Sequence, residues 1–189
     1  MKRPACLFLL GLLLAVPASA QVSNFQLRMR AILRSRAERS VTDTLGRAYY
    51  LVVPARLGEG GEKLPPAARA FSAVAGAYTD LKVPNPQRDS ANLIVGNDNF
   101  SLRGELGGKS LAVYLECGSD VNGVYAEIYP INTSLITLVT PLPADSVEVR
   151  TLLFATAVNI PKPIPTRECK STGELEKKIY QSMLKRLAK

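Results

Sequence analysis

The sequence predicts an α+β domain, an antiparallel β-sheet meander packed by two amphipathic helices in a helix-grip-like arrangement. Three observations carry that expectation. Apolar residues recur at three- and four-residue steps over 67–81 and again over 175–187, the period shifts to two between 92 and 158, and Pro and Gly punctuate the joins.

Residues 1–20 precede the fold and read as a signal peptide. Lys2 and Arg3 give the basic start, 7–16 the apolar run, and Ala18-Ser19-Ala20 the small residues of a cleavage site. The processed chain is expected to start at Gln21 and to be periplasmic or secreted. The apolar run is shorter than the roughly 20 residues that cross a bilayer, and no later segment is longer, so no transmembrane span is expected. Cys6 precedes the run, whereas a lipidated cysteine must follow it.

Two periods fit the basic lead-in at 21–39. Phe25, Leu27, Met29, Ala31 and Leu33 alternate with polar or basic residues, the strand reading preferred here. Phe25, Met29, Ile32 and Leu33 also make a helical stripe, which would give a basic amphipathic segment suited to an anionic membrane surface. A charged terminus without fixed structure is the third reading. The rest of the chain, 40–189, is expected to be a single domain.

Within it, 49–53 is rich in β-formers and ends at Pro54, so it reads as a strand. Three glycines place 58–63 in a loop. Pro65 and Pro66 then open a helix, where a missing amide proton costs nothing. Ala67, Ala70, Phe71, Val74, Ala75, Tyr78 and Leu81 form its apolar face, and Pro84 and Pro86 lie beyond its end. Segments 93–95 and 100–102 flank Gly96-Asn97-Asp98-Asn99, which reads as a hairpin. Gly107-Gly108 marks a turn before a strand at 111–117, and 118–123 is a polar connection. The long alternating span 125–139 and its return at 147–158 carry apolar residues on both sides. That is expected if one face packs on helices and the other is partly covered. Pro161, Pro163 and Pro165 extend a connector to Cys169. Ser171-Thr172-Gly173-Glu174 has the pattern of a capping box ahead of the stripe Leu175, Ile179, Tyr180, Met183, Leu184 and Leu187. Acidic Glu174 and Glu176 at its start and Lys185 and Arg186 near its end suit the helix dipole.

The 189 residues carry a formal charge of +8, and loss of the leader leaves 22 of the 24 basic residues against 16 acidic ones. Outside the cytoplasm such a balance meets lipid headgroups, anionic polysaccharide or an acidic protein face more often than nucleic acid. The expected partner is therefore an envelope protein or an anionic membrane or cell-wall surface. Without Cys6 the cysteine count is two, and in an oxidising compartment Cys117 and Cys169 are expected to form one disulfide.

The chain has no histidine, which removes the commonest catalytic triads and leaves carboxylate, lysine or tyrosine as the only bases. Ser110 beside Lys109 and Ser171 beside Lys170 lack a strand-turn-helix elbow, so no catalytic residue and no cofactor are assigned. Asp98, Glu116 and Asp120, with Asn97 and Asn99, offer oxygen ligands without the spacing of a calcium loop. Asx turns at strand ends account for them better, and no metal is assigned. The Gly104 to Gly108 region lacks the following helix of a phosphate-cradling loop. Tyr114, Tyr125 and Tyr129, with small Ala155 and Ala157, are candidates to line a ligand groove between sheet and helix.

The succession Ala70-Phe71, Val74, Ala77-Tyr78, Gly96-Asn97, Leu106-Gly107-Gly108, Tyr114-Leu115, Cys117-Gly118, Cys169 and Ser171-Thr172-Gly173 resembles a group of uncharacterised exported bacterial proteins. It brings no activity. The order of elements is similar to the helix-grip domains of BamC-type outer-membrane accessory lipoproteins, a likeness of fold alone that assigns no function. The functional expectation is a non-enzymatic envelope accessory or protein-interaction domain. The alternatives are a small-ligand or lipid-binding domain and a hydrolase with an unrecognised site.

Overall fold

The computed structural model describes residues 27, 47–53, 56–57, 63–160 and 166–188. The expected signal peptide at 1–20, the lead-in apart from Leu27, residues 58–62 of the expected glycine loop and the 161–165 connector lie outside them. Leu27 is helical and 53% exposed, at odds with the period-two strand preferred for its segment.

Strand β1 (Arg47–Val52) is followed by the two-residue pair β2 (Arg56–Leu57) and β3 (Lys63–Leu64) and by helix α1 (Pro66–Asp80). Pro at the first helical position sets φ for the opening turn, and Ala67, Ala70, Val74, Ala77 and Tyr78 are buried along one face. Next come β4 (Gln87–Asp89), β5 (Ile94–Leu102), the tight pair β6 (Glu105–Leu106) and β7 (Lys109–Ser110), a 3₁₀ turn (Leu111–Val113) and β8 (Leu115–Glu116). A second small pair, β9 (Ser119–Asp120) and β10 (Gly123–Val124), leads to the four-residue helix α2 (Tyr125–Ile128). The long strands β11 (Ile131–Leu142) and β12 (Ser146–Val158), then β13 (Thr166–Ser171) and helix α3 (Glu174–Leu187), complete the chain.

These elements make an α+β layer. The main sheet is seven-stranded in the order β4-β5-β11-β12-β13-β8, with β1 also paired to β12. All of its pairings are antiparallel. Strand β12 is long enough to take two partners end to end on one side: residues 146–151 pair with β1 and 155–158 with β13.

The alternation in β11 works as the sequence predicts. Ile131, Thr133, Leu135, Thr137 and Val139 are all buried on the face toward the helices, where Thr137 bonds Tyr78 of α1 and Ile131, Leu135 and Val139 share the main core cluster with Leu175, Ile179 and Met183 of α3. Tyr180 of α3 stacks on Tyr49 of β1, ring centroids 4.2 Å apart. Ile94, Ile136 and Leu152 form a smaller buried cluster that includes partly buried Leu138 and Phe154. In β11 and β12 its members alternate with the helix-facing residues, so the sheet has apolar contacts on both faces.

Inside the main core three hydroxyls bond one another. The Tyr78 hydroxyl lies 3.0 Å from Thr137 Oγ1, which lies 2.9 Å from Thr151 Oγ1. Burial pushes the Tyr78 phenol well above its ordinary pKa, a shift its Thr137 bond opposes, so this tyrosine is a neutral structural group.

Four expectations need correction. The 93–102 hairpin is instead the continuous strand β5, and none of residues 96–99 has the positive φ a two-residue hairpin turn requires. Its turn-forming residues serve a bulge opposite Ser134. Asn97 donates to the Pro84 carbonyl at 2.7 Å and accepts from the Asn99 amide at 3.0 Å. The strand predicted at 111–117 begins as a 3₁₀ turn, because the Ser110 hydroxyl accepts the Ala112 amide and offers the backbone a local alternative to the sheet. The span predicted from 125 starts as α2, and the strand proper begins at Ile131.

The capping box is displaced. Gly173, at φ 85°, is the N-cap of α3; Ser171 accepts the Gly173 amide and donates to Glu176, two residues beyond the expected Glu174. A hydroxyl from Thr172 accepts the Glu174 amide.

Gly96 is where a side chain is least tolerable. A Cβ there would lie 2.5 Å from the Leu135 carbonyl oxygen and 2.9 Å from Ile136 Cα, both backbone atoms of the paired strand. Gly96→Ala is expected to destabilise by about 2 kcal/mol through overpacking. Urea unfolding should show a lower midpoint at an unchanged slope.

Candidate functional site

A cleft of about 410 Å³ opens where the end of α1, the β6–β7 turn and α3 meet. Asp80 and Leu81 line one side, Gly107 and Lys109 another, and Val113 with Tyr114 form a third wall. From α3 come Lys178, Ser182 and Lys185, flanked by Glu174 and Gln181.

Local chemistry explains each placement. Gly107 and Gly108 take φ of 58° and 72°, the left-handed pair a two-residue turn needs, and this turn aims the Gly107 carbonyl at Lys178. Lys178 Nζ donates to that carbonyl at 3.0 Å and to the Tyr114 hydroxyl at 2.9 Å. The Tyr114 ring is buried in the core, so only its hydroxyl end is offered to the cleft.

Across the opening, Arg186 grips Asp80 with two bonds of 2.9 and 2.6 Å, and Ser182 donates to the same carboxylate at 2.7 Å. The hydrogen bond to Asp80 raises the Arg186 pKa above its ordinary value. These contacts fasten the C-terminal end of α1 to α3. Gly76 makes room for them, since a Cβ there would meet the Arg186 guanidinium at 2.5 Å.

A disulfide joins Cys117 to Cys169, with Cα atoms 4.1 Å apart. It continues the β13–β8 ladder, in which Lys170 faces Glu116 and Ser171 faces Leu115, and the Thr172 amide then donates to the Tyr114 carbonyl. Thr172 also donates its hydroxyl proton to the Val113 carbonyl at 2.8 Å. The cross-link thus secures the segment that supplies the Val113 and Tyr114 wall of the cleft.

The three tyrosines singled out from sequence are divided. Tyr114 is in the cleft lining, and Tyr125 and Tyr129 are not. Those two sit edge to face at 5.5 Å as i, i+4 neighbours on and just after α2. Desolvation first, then the Asp120 carboxylate, raise the Tyr129 phenol above its ordinary value. Ala155 and Ala157 are buried within the core.

Neither candidate serine faces a lysine. Ser110 donates to Glu127 at 2.7 Å and Ser171 to Glu176 at 2.6 Å. Glu176 is buried but does not line the cleft. The oxygen-rich loop residues do not converge: among the described residues no group of three or more Asp, Glu or Cys side chains could hold a metal ion. Asp120 accepts the Asn122 amide at 2.8 Å, an Asx turn. The sequence reading missed Lys109, Lys178 and Lys185 as a group. The seven-residue spacing of the last two, which puts them on one helix face, was the available signal.

No protein-family model matches the chain, and no curated protein or solved structure resembles it significantly. No helix among the described residues is long and apolar enough to cross a membrane.

Proposed function

We propose that the chain is an exported accessory domain of the cell envelope that works by docking and performs no covalent chemistry. The observation that carries this reading is the contrast between the core and the cleft. The space between sheet and helices is filled by Tyr78, Leu135, Ile179 and Met183, all fully buried, whereas the cleft lies at the surface and has a polar, lysine-bearing rim. A carrier of an apolar ligand would need that inner volume for its cargo.

The disulfide supports an oxidising compartment, in agreement with a leader at 1–20 and a periplasmic or secreted product. The serine hydroxyls committed to Glu127 and Glu176, and the neutral Tyr78, support the non-enzymatic part of the reading. Partners of this basic protein are expected to present negative charge, and nucleic acid is not among them.

Immobilised protein should retain a component of the envelope fraction with its disulfide intact. The double substitution Lys109→Glu, Lys185→Glu should reduce retention by about tenfold or more, the equivalent of 1.4 kcal/mol, with the melting temperature held within a few degrees. Undiminished retention would move the docking surface elsewhere, and steady turnover of an ester or glycoside substrate would replace docking by catalysis.

A further inference from the structure

We infer that the cleft is a binding site for a phosphate-type oxyanion, a phosphate monoester or diester, held by Lys109, Lys178 and Lys185. The inference rests on the docking reading and names the chemistry of what is docked.

The electrostatic argument starts from the carboxylates in the lining. Asp80 is bound twice by Arg186, and Glu174 is paired with Lys177 at 3.5 Å; neither Arg186 nor Lys177 lines the cleft. Both negative charges therefore have cations of their own outside the lysine set. Among the described residues, none of the three cleft lysines has a carboxylate within ion-pair distance. Three positive charges from two separate elements, strand β7 and helix α3, share one concavity of about 410 Å³.

Lys178 is fixed in advance of any ligand. Two of its three ammonium protons are used by the Gly107 carbonyl and the Tyr114 hydroxyl, which leaves one to donate. Gly107 keeps the space clear: a Cβ there would come within 3.3 Å of the Lys178 ammonium and 3.1 Å of Leu81 Cδ2. The ordering cost that a flexible surface lysine incurs on binding is thereby reduced.

The type of donor selects the anion. Planar two-point recognition of a carboxylate favours an arginine fork, but the cleft lining holds no arginine, and Arg186 is occupied by the lining residue Asp80. Separate ammonium groups arriving from different directions suit a tetrahedral oxyanion, whose oxygens point different ways. Val113 and the Leu81 side chain on the lining provide apolar contact for the organic part of an ester.

Full-length chain expressed with its own leader is titrated with inorganic phosphate and glycerol phosphate by amide NMR at low salt. In parallel it is tested by co-sedimentation with phosphatidylcholine vesicles with and without phosphatidylglycerol. Saturable shifts at Gly107, Tyr114 and Lys178 are expected, with affinity reduced tenfold or more by Lys109→Gln or Lys178→Gln and unchanged by Lys170→Gln, a lysine of β13 outside the cleft lining. Saturation with the soluble esters alone supports a soluble phosphate source; binding confined to the phosphatidylglycerol vesicles, with the same lysine dependence, supports a lipid headgroup. Absence of saturation by every probe, or an equal loss with Lys170→Gln, overturns the site. If envelope retention persists while all phosphate probes fail, this inference falls and the docking reading stands.

Discussion

Leu175→Asp is expected to unfold the domain. Leu175 is almost fully buried in the first turn of α3 and belongs to the main core cluster. Removing a buried leucine costs about 2–5 kcal/mol in its own right, and a buried charge without a partner adds about 3–5 kcal/mol. The neighbouring Glu176 is itself buried, with its Oε2 unbonded, and offers the new carboxylate repulsion and no cation. The total reaches the roughly 5–15 kcal/mol that holds a natural domain together. Loss of the sigmoidal thermal transition in circular dichroism is the expected result. Leu175→Ala is the control that removes packing alone, and it should keep a transition at lower temperature. A Leu175→Asp protein that melts like the parent would place this helix face in water and refute the packing described here.

The second large effect is expected at the disulfide. Cys117 and Cys169 are 52 residues apart in sequence, and closing a loop of that length restricts the unfolded chain by about 4 kcal/mol in the chain-entropy account. Cys117→Ser should lower the melting temperature on the order of 10 °C for a domain of this size. Cys117 is buried and Cys169 only partly so, so Cys169→Ser should be slightly milder, since its hydroxyl can reach water. Reduction of the parent protein should reproduce most of either loss. Because the bond secures the segment bearing Val113 and Tyr114, amide exchange in 111–116 should rise in both variants before the long strands respond. Equal melting of parent and Cys117→Ser proteins would show that the bond contributes nothing net.

How far the fold is legible in the sequence depends on whether a residue's role is local. Helix α1 follows from Pro66 and its alanine-rich stripe, β11 from its alternation and β12 as the apolar strand that returns beside it, because periodicity records which face is buried. The cysteine pairing follows from counting. The misreadings occur where a distant partner overrides a local preference. Gly96-Asn97-Asp98-Asn99 has hairpin composition, yet Gly96 is needed for close approach to Leu135, and Asn97 is claimed by Pro84. Ser171 has the position of a cap residue, but its hydroxyl is taken by Glu176 while Gly173 takes the cap.

The candidate site was less legible than the fold. Tyr114 was singled out and does line the cleft, whereas Tyr125 and Tyr129, next to it in kind, are elsewhere. What gathers Lys109 with Lys178 and Lys185 is the fold of a glycine turn against a helix some 70 residues downstream. No spacing rule reports such a meeting of distant segments.

The double pairing of β12 has a consequence for the order of assembly. Its lower half needs residues 47–52 and its upper half needs 166–169, from opposite ends of the domain. A nascent chain emerging from the ribosome therefore holds an unfinished central strand until residues 166–169 have been made. Contacts so far apart in sequence make for slow folding, so refolding from denaturant is expected to lag behind that of a meander whose strands pair only with their sequence neighbours.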